Sequence, residues 1–319
     1  MNYPKVSILT PVYGVEKYIR RCAESLMSQT YENLEYIIVN DCTKDASVEI
    51  LKEVIAEYPK RKEKVKLIEL PDNKGLANAR NVAIDAATGV FVLIVDSDDW
   101  VEPDIVEELV KYQQETEADI VSSNTFCHHS GKVVVGNTYE SLKSDPLINV
   151  ITHNAAFNIW GRLIRKSLYT DNGIYCKIGI NQGEDLQTFP KLAYYANKHV
   201  CVNRALYHYN AENQSSYTYK NRYRLTVIQQ QYESFCIFYD FFKEKNGGQF
   251  RKILGSRKAD FLYYLMRLCC SGNFPNEFQR FKKMLLELEI TDPSTKKNDL
   301  AHILRKSYWV TKLVLKLRK

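Results

Sequence analysis

Val90–Trp100 reads VFVLIVDSDDW, an apolar run that stops abruptly at three carboxylates. From Gly89 to Val95 there is no charge, and Val, Ile and Phe dominate, the composition of a strand buried on both faces of a parallel sheet. The acids mark its C-terminal end. In open α/β sheets that end borders the crevice where ligands bind, so Asp96, Ser97, Asp98 and Asp99 are expected in a site. Acids packed this closely repel unless a cation joins them. Carboxylate oxygens suit Mg²⁺ or Mn²⁺, which take one or two protein carboxylates and complete their shell with water and phosphate oxygens. The pattern therefore implies a phosphorylated ligand. A second reading keeps the acids structural, with Asp99 or Asp104 capping the next helix and Pro103 near its first turn.

Outward from this stretch the chain alternates. Val6–Thr10 reads as a short strand halted by Pro11, and Val15, Tyr18, Ile19, Cys22 and Leu26 follow helical spacing. Leu34–Val39 is a second strand ending at Asn40 and Asp41. A helix bearing Ile50, Leu51, Val54, Ile55 and Tyr58 follows and closes at Pro59. Val65–Leu70 is a third strand, and Pro71–Gly75 turns into an Ala-rich helix reaching about Ala87. Strands and helices at this pitch predict βαβ units and a mostly parallel, Rossmann-like α/β sheet flanked by helices. Polar groups gather at the strand tips: Thr10 and Tyr13, Asn40 and Asp41, Asn73 and Arg80, Asp96 and Asp98. Donors, acceptors and an aromatic ring on one edge are what a nucleotide needs.

Beyond Glu102 the spacing predicts a helix with Ile105, Val106, Leu109 and Val110 inward, then strands Ile120–Ser123 and Lys132–Val135. Residues 138–158 give no clear pattern. Ile159–Tyr169 (IWGRLIRKSLY) is an aromatic and basic cluster, Glu184 and Asp185 open another helix, and Val200–Tyr209 reads as a strand. From about Ser216 the chain turns to long helical periodicity, which divides it into residues 1–215 and an α-helical region, 216–319.

The composition excludes several classes. With 45% hydrophobic and 26% charged residues, the 319-residue chain is globular rather than disordered. The eight cysteines show no CxxC and are expected as reduced thiols in a cytoplasmic protein. No apolar stretch suits a signal peptide or a membrane span. The net charge of +6 is not organised as a nucleic-acid module, so no such partner is expected. Much of it lies in the tail: Ala301–Lys319 carries six Lys and Arg and no acid, with Trp309, Leu313 and Leu317 at four-residue spacing. This reads either as a basic amphipathic helix on the inner face of the plasma membrane or as a helix packed on the domain. GxGxxG, GxxxxGK[ST], HExxH and GxSxG are all absent, which removes nicotinamide enzymes, P-loop NTPases, zinc proteases and α/β-hydrolases.

What is present, in order, is TPVYG (Thr10–Gly14), SLMSQTYENLEYIIVND (Ser25–Asp41), DNKGLANARN (Asp72–Asn81), ATGVFVLIVDSDDW (Ala87–Trp100) and GEDL (Gly183–Leu186). Together these resemble glycosyltransferase family 2, enzymes of the GT-A fold with a DxD motif, over roughly residues 4 to 210. The resemblance implies that Thr10, Pro11, Tyr13 and Asp41 surround the nucleotide base, with Arg80 beside the base or diphosphate. It also implies that Asp96 and Asp98 hold ribose and metal next to Ser97, and that Asp185 is the catalytic base. Gly14 stands where the family has Asn, and Asn40 where it has a first Asp; both bear on the base contacts.

The implied activity is an inverting, Mn²⁺- or Mg²⁺-dependent transfer of a sugar from a UDP-sugar to a glycan or lipid-linked acceptor, as in cell-surface polysaccharide synthesis. Trp160 and Arg162, with Glu184, are candidates for the acceptor side, although Trp160 equally fits a core position. Glu184 and Asp185 also suit a helix first turn through its dipole. His208 in YHYN is either structural or a ligand to metal or diphosphate. A sugar nucleotidyltransferase has the same needs but carries a Gly-rich basic loop after its first strand, which TPVYG lacks. A non-catalytic nucleotide- or membrane-binding protein is the third reading.

Overall fold

The computed structural model describes residues 3–136, 145–214, 216–221 and 223–291, together with Thr138, Tyr308 and Lys312. The chain divides into two compact units, Met1–Ser215 and Ser216–Lys319.

The first unit is a mixed sheet with helices on both faces. Its strands are β1 (Val6–Val12), β2 (Leu34–Asn40), β3 (Val65–Glu69), β4 (Phe91–Ile94), β5 (Trp100–Val101), β6 (Ile120–His129), β7 (Lys132–Gly136), β8 (Arg162–Arg165) and β9 (His199–Asn210). The order is β3-β2-β1-β4-β8-β6-β9-β5, with β7 on β6. The first four are parallel, and β4 takes β8 antiparallel on its other side. The apolar run thus lies in the middle of the sheet. Phe91, Leu93 and Val95 enter one core, while Val92 and Ile94 enter the other. Each such side chain contributes about 1.5–3 kcal/mol by leaving water, so this strand tolerates no charge until it leaves the sheet at Asp96.

The helices are α1 (Ile19–Met27), α2 (Ser47–Glu57), α3 (Pro59–Lys62), α4 (Leu76–Ala86), α5 (Ile105–Thr116), α6 (Pro146–Thr152), α7 (Ser167–Thr170) and α8 (Glu184–Tyr195). Three findings differ from the sequence reading. β1 continues through Pro11 to Val12, because by Pro11 it has passed its last pairing with β4 at Leu9↔Ile94, where a proline is tolerated. α6 lies inside the stretch that gave no pattern; Pro146 opens it and the Asp145 carboxylate accepts from the Ile148 amide. The basic cluster after Trp160 is a buried strand, β8, held between β4 and β6.

β9 positions the site. It pairs parallel to β6 from Ile120↔His199 to His128↔Asn210, with a register shift near Asn124, and antiparallel to β5 at Trp100↔His208 and Val101↔Tyr207. Residues 207–213 therefore lie against the turn that carries the acids.

The second unit holds α9 (Tyr217–Asn221), α10 (Leu225–Phe242), α11 (Arg251–Gly272) and α12 (Pro275–Thr291). α11 ends where Asn273 adopts left-handed φ, and Pro275 opens α12. Ile228, Leu262, Met266, Phe278 and Phe281 form its core. Apart from Tyr308 and Lys312, the basic tail lies outside the described residues. Among those described, no helix is long and apolar enough to cross a membrane.

Gly161 enters β8 at φ +67°, and a Cβ there would stand 2.9 Å from the Tyr207 ring. Gly161→Ala is therefore expected to destabilise the protein by about 1–3 kcal/mol through strain and overlap. An unchanged urea midpoint would contradict this packing.

Candidate active site

The turn after β4 places the acids in unlike surroundings. The Asp99 amide donates to the Asp96 carbonyl at 3.0 Å, which closes the turn. Asp99 points inward and accepts from Tyr207 Oη at 2.6 Å and the Asn210 amide at 2.7 Å. Burial and then Asp98 and Asp96 push its carboxyl well above the usual range. Asp99 thus ties the turn to β9. Nor does Asp104 cap α5 with its side chain, which pairs with Arg204 at 2.6 Å. Asp98 accepts from Asn213 Nδ2 at 2.7 Å, while burial, followed by Asp96, raises its pKa.

Arg80 holds the centre together. It projects from α4 with a side chain only 2% exposed. One terminal nitrogen donates at 2.8 Å to both Glu184 Oε1 and Asp185 Oδ1. The other reaches Asp96 Oδ1 and Oδ2 at 2.9 and 3.1 Å. The sequence reading sets this arginine beside a base or diphosphate; in the structure its guanidinium joins the acid turn to the start of α8, because carboxylates withdrawn from water require a counter-charge. Burial alone would lower its pKa, but Asp96, Asp185 and Glu184 outweigh that and raise it well above normal. One cation facing three acids leaves negative charge over. Glu184 is pushed up by burial and then by Asp185, against Arg80. Asp185 is also raised, by burial above all and by Asp96, although Arg80 and the Ile159 amide stabilise its anion.

The tips of β1 and β2 carry the residues expected around a nucleotide. Thr10 and Pro11 are buried, and the Thr10 hydroxyl has no hydrogen-bond partner among the described residues. Tyr13 is 53% exposed. The two Asp41 oxygens each accept at 2.8 Å, from the amides of Lys74 and Gly75, so this carboxylate also shapes the loop that leads into α4. Ser97 is buried in the acid turn.

Three other residues settle differently. Arg162 is buried and gives its donors to the carbonyls of Asn158 and Ala156, the Asn158 side chain and Ser122, with its plane over Phe189. It is a strut between β8 and the loop before it, and no face remains for an acceptor. His208 accepts the structural reading: it contacts Glu102 at 2.7 Å and His128 at 3.0 Å and stacks on Trp100 and Phe126. Trp160 is half-buried and stacks on Tyr207 and Tyr209. Tyr207, Asn210 and Asn213, which hold the acid turn, were not legible as site residues. Their only signal was a run of polar and aromatic residues at the end of a strand.

No group of three or more His, Cys, Asp or Glu able to hold a metal is present among the described residues. The raised Asp98 beside Asp96 nevertheless fits a hard divalent ion, which needs one or two protein carboxylates when phosphate and water fill its shell.

Residues 7–173, more than half the chain, match the family model "Glycosyl transferase family 2". The chain belongs to glycosyltransferase family 2. Glycosyltransferase GlyA of Streptococcus pneumoniae is 33% identical over 221 residues, 64% of this chain and 30% of GlyA, so the match spans under a third of that relative's length. Two solved structures share the fold. TarS (1-349) of S. aureus in complex with UDP-GlcNAc superposes with a TM-score of 0.60 at 21% identity, over 96% of this chain and 91% of that one. The mannosyltransferase PcManGT of Pyrobaculum calidifontis, in complex with GDP-Man and Mn²⁺, gives 0.58 at 16% identity, over 99% and 88%.

Arg80→Ala would leave three buried or partly buried carboxylates without their cation, at a cost of about 3–5 kcal/mol near neutral pH. Part of that loss is expected to return as the pH falls below neutral, where the orphaned carboxyls, raised by burial and no longer lowered by Arg80, take up protons. Denaturant midpoints measured across that range check both statements, and an unchanged midpoint at neutral pH would contradict the hub.

Proposed function

We propose that the first unit transfers a sugar from a UDP-sugar, with inversion, to a hydroxyl of a glycan or lipid-linked acceptor, using Mn²⁺ or Mg²⁺. Extension of a cell-surface polysaccharide is the setting. The observation that carries this reading is the Arg80 bridge: a single guanidinium spans Asp96 in the acid turn and Asp185 on α8. The machinery for the leaving group and for the nucleophile thus share one centre.

Asp98 and Asp96 are the metal ligands in this reading, and Asp41, Thr10, Pro11 and Tyr13 receive the base, with Ser97 beside the ribose. The bound metal supplies charge compensation to the departing diphosphate. Asp185 stands ready as general base: as the acceptor oxygen bonds to the anomeric carbon, its proton passes to the carboxylate and the carbon–oxygen bond to the diphosphate breaks. A single displacement of this kind inverts the anomeric centre. Arg80 and the Ile159 amide hold the base in place. Glu184 shares the same arginine nitrogen and keeps the local charge negative. The six Lys and Arg of 301–319 support peripheral contact with an anionic membrane at its cytoplasmic face.

Asp185→Asn is expected to lower kcat by about 10²–10⁴-fold and to leave UDP binding in the presence of Mn²⁺ unchanged by calorimetry. Retained turnover would overturn the assignment of the base.

The pH profile follows from the same carboxyls. A general base works deprotonated, and burial raises the pKa of both Glu184 and Asp185, so kcat/KM should rise with pH through a limb above the ordinary carboxylate range. A limb at about pH 4, the value of a free carboxyl, would contradict that environment.

A further inference from the structure

Tyr209 is an aromatic residue that the proposed chemistry leaves unused. It lies in β9, 38% exposed, with its ring parallel to Trp160 at 5.3 Å and 7°. Trp160 in turn stacks on the buried Tyr207 at 4.4 Å, so the exposed ring rests on a fixed base. Tyr207 is itself anchored to Asp99 through its hydroxyl.

The neighbours of this ring lead to both chemical centres. Ile159, adjacent to Trp160, donates its amide to Asp185. Asn210 and Asn213, just beyond Tyr209, donate to the carbonyl and carboxylate of Asp98. Partial burial and then Asp99, Asp98 and Asp96 push the Tyr209 hydroxyl up to about 12, so it remains a proton donor at neutral pH. In the strand order β4, β8 and β6 separate β9 from β1, the strand that carries Thr10 and leads into Tyr13. Tyr209 therefore lies away from the proposed base pocket, next to the residues that tether the acid turn.

We infer that Tyr209 is the acceptor platform: a pyranose ring stacks its apolar face on the exposed side of this tyrosine, which brings its hydroxyl edge towards Asp185. This rests on the functional reading above and narrows the acceptor to a saccharide ring rather than an open-chain polyol. A pyranose offers axial C–H groups on one face and hydroxyls around its rim. An exposed aromatic plate beside a carboxylate matches both.

Saturation-transfer NMR on the full chain loaded with UDP and Mn²⁺ tests this, with methyl β-glucoside and methyl β-N-acetylglucosaminide as probes and glycerol as the open-chain control. In the wild type, H1, H3 and H5, which share one face of these rings, should receive the strongest saturation, and glycerol should receive none. Tyr209→Phe and Tyr209→Trp should keep that pattern. Tyr209→Ala should reduce it about tenfold, the scale of one lost stacking contact. Calorimetry with UDP and Mn²⁺ on the same samples shows that the alanine variant is folded and loaded. Evenly distributed saturation, equal signal for glycerol, or an undiminished signal in a loaded Tyr209→Ala protein would overturn the inference alone. A wild-type chain that binds no UDP would overturn the functional reading and this inference with it.

Discussion

One guanidinium facing three carboxylates is the constraint around which this site is built. Arg80 and Glu184 are buried and Asp96 and Asp185 partly so, and separating any of them from the arginine would leave an ion in a medium that solvates it poorly. The sequence separations are 16 residues to Asp96, 104 to Glu184 and 105 to Asp185. The interaction can therefore form only when the central strand, the helix before it and the distant helix α8 have all docked. Fold and site are coupled through it. Burial and then the surplus negative charge it leaves raise the Glu184 and Asp185 carboxyls, and that surplus supplies the electrostatic case for a divalent ion.

The turn after β4 shows how three neighbouring acids are separated into different tasks. Asp99 is consumed by Tyr207 and the Asn210 amide, which fasten the turn to β9. Asp96 faces Arg80, and Asp98 accepts from the Asn213 side chain. None of these distinctions exists at the level of composition. They arise because β9 runs alongside β5 in the opposite direction and brings its polar end to the turn.

This explains which parts were legible in the sequence. β1 to β4 and their helices are punctuated locally, by apolar runs that end in Asn, Asp or Gly, and the strand boundaries emerge within a residue or two. Asp96 and Asp98 stand out because they end an apolar run, whereas Asp185 stands out only through the match of GEDL to the family pattern, since acids in a helix first turn are otherwise common. Arg80 was visible as a residue, but its direction was not, since an arginine in an Ala-rich helix reads as solvated until α8 packs over it. Arg162 failed for a related reason. RLIR is too short to show alternation, and only pairing with β4 and β6 makes it a buried strand. The two-residue β5 and the tethers from β9 depend on partners roughly a hundred residues away.

The central claim is that the acid turn and the α8 carboxylate operate as one centre. The most direct measurement is the kcat of the wild type, Asp98→Asn, Asp185→Asn and the double variant with a UDP-sugar donor. Residues that act as a unit give strongly non-additive losses, so the double variant should be no slower than the more impaired single variant by more than about twofold. Losses that multiply in the double variant would contradict a shared centre.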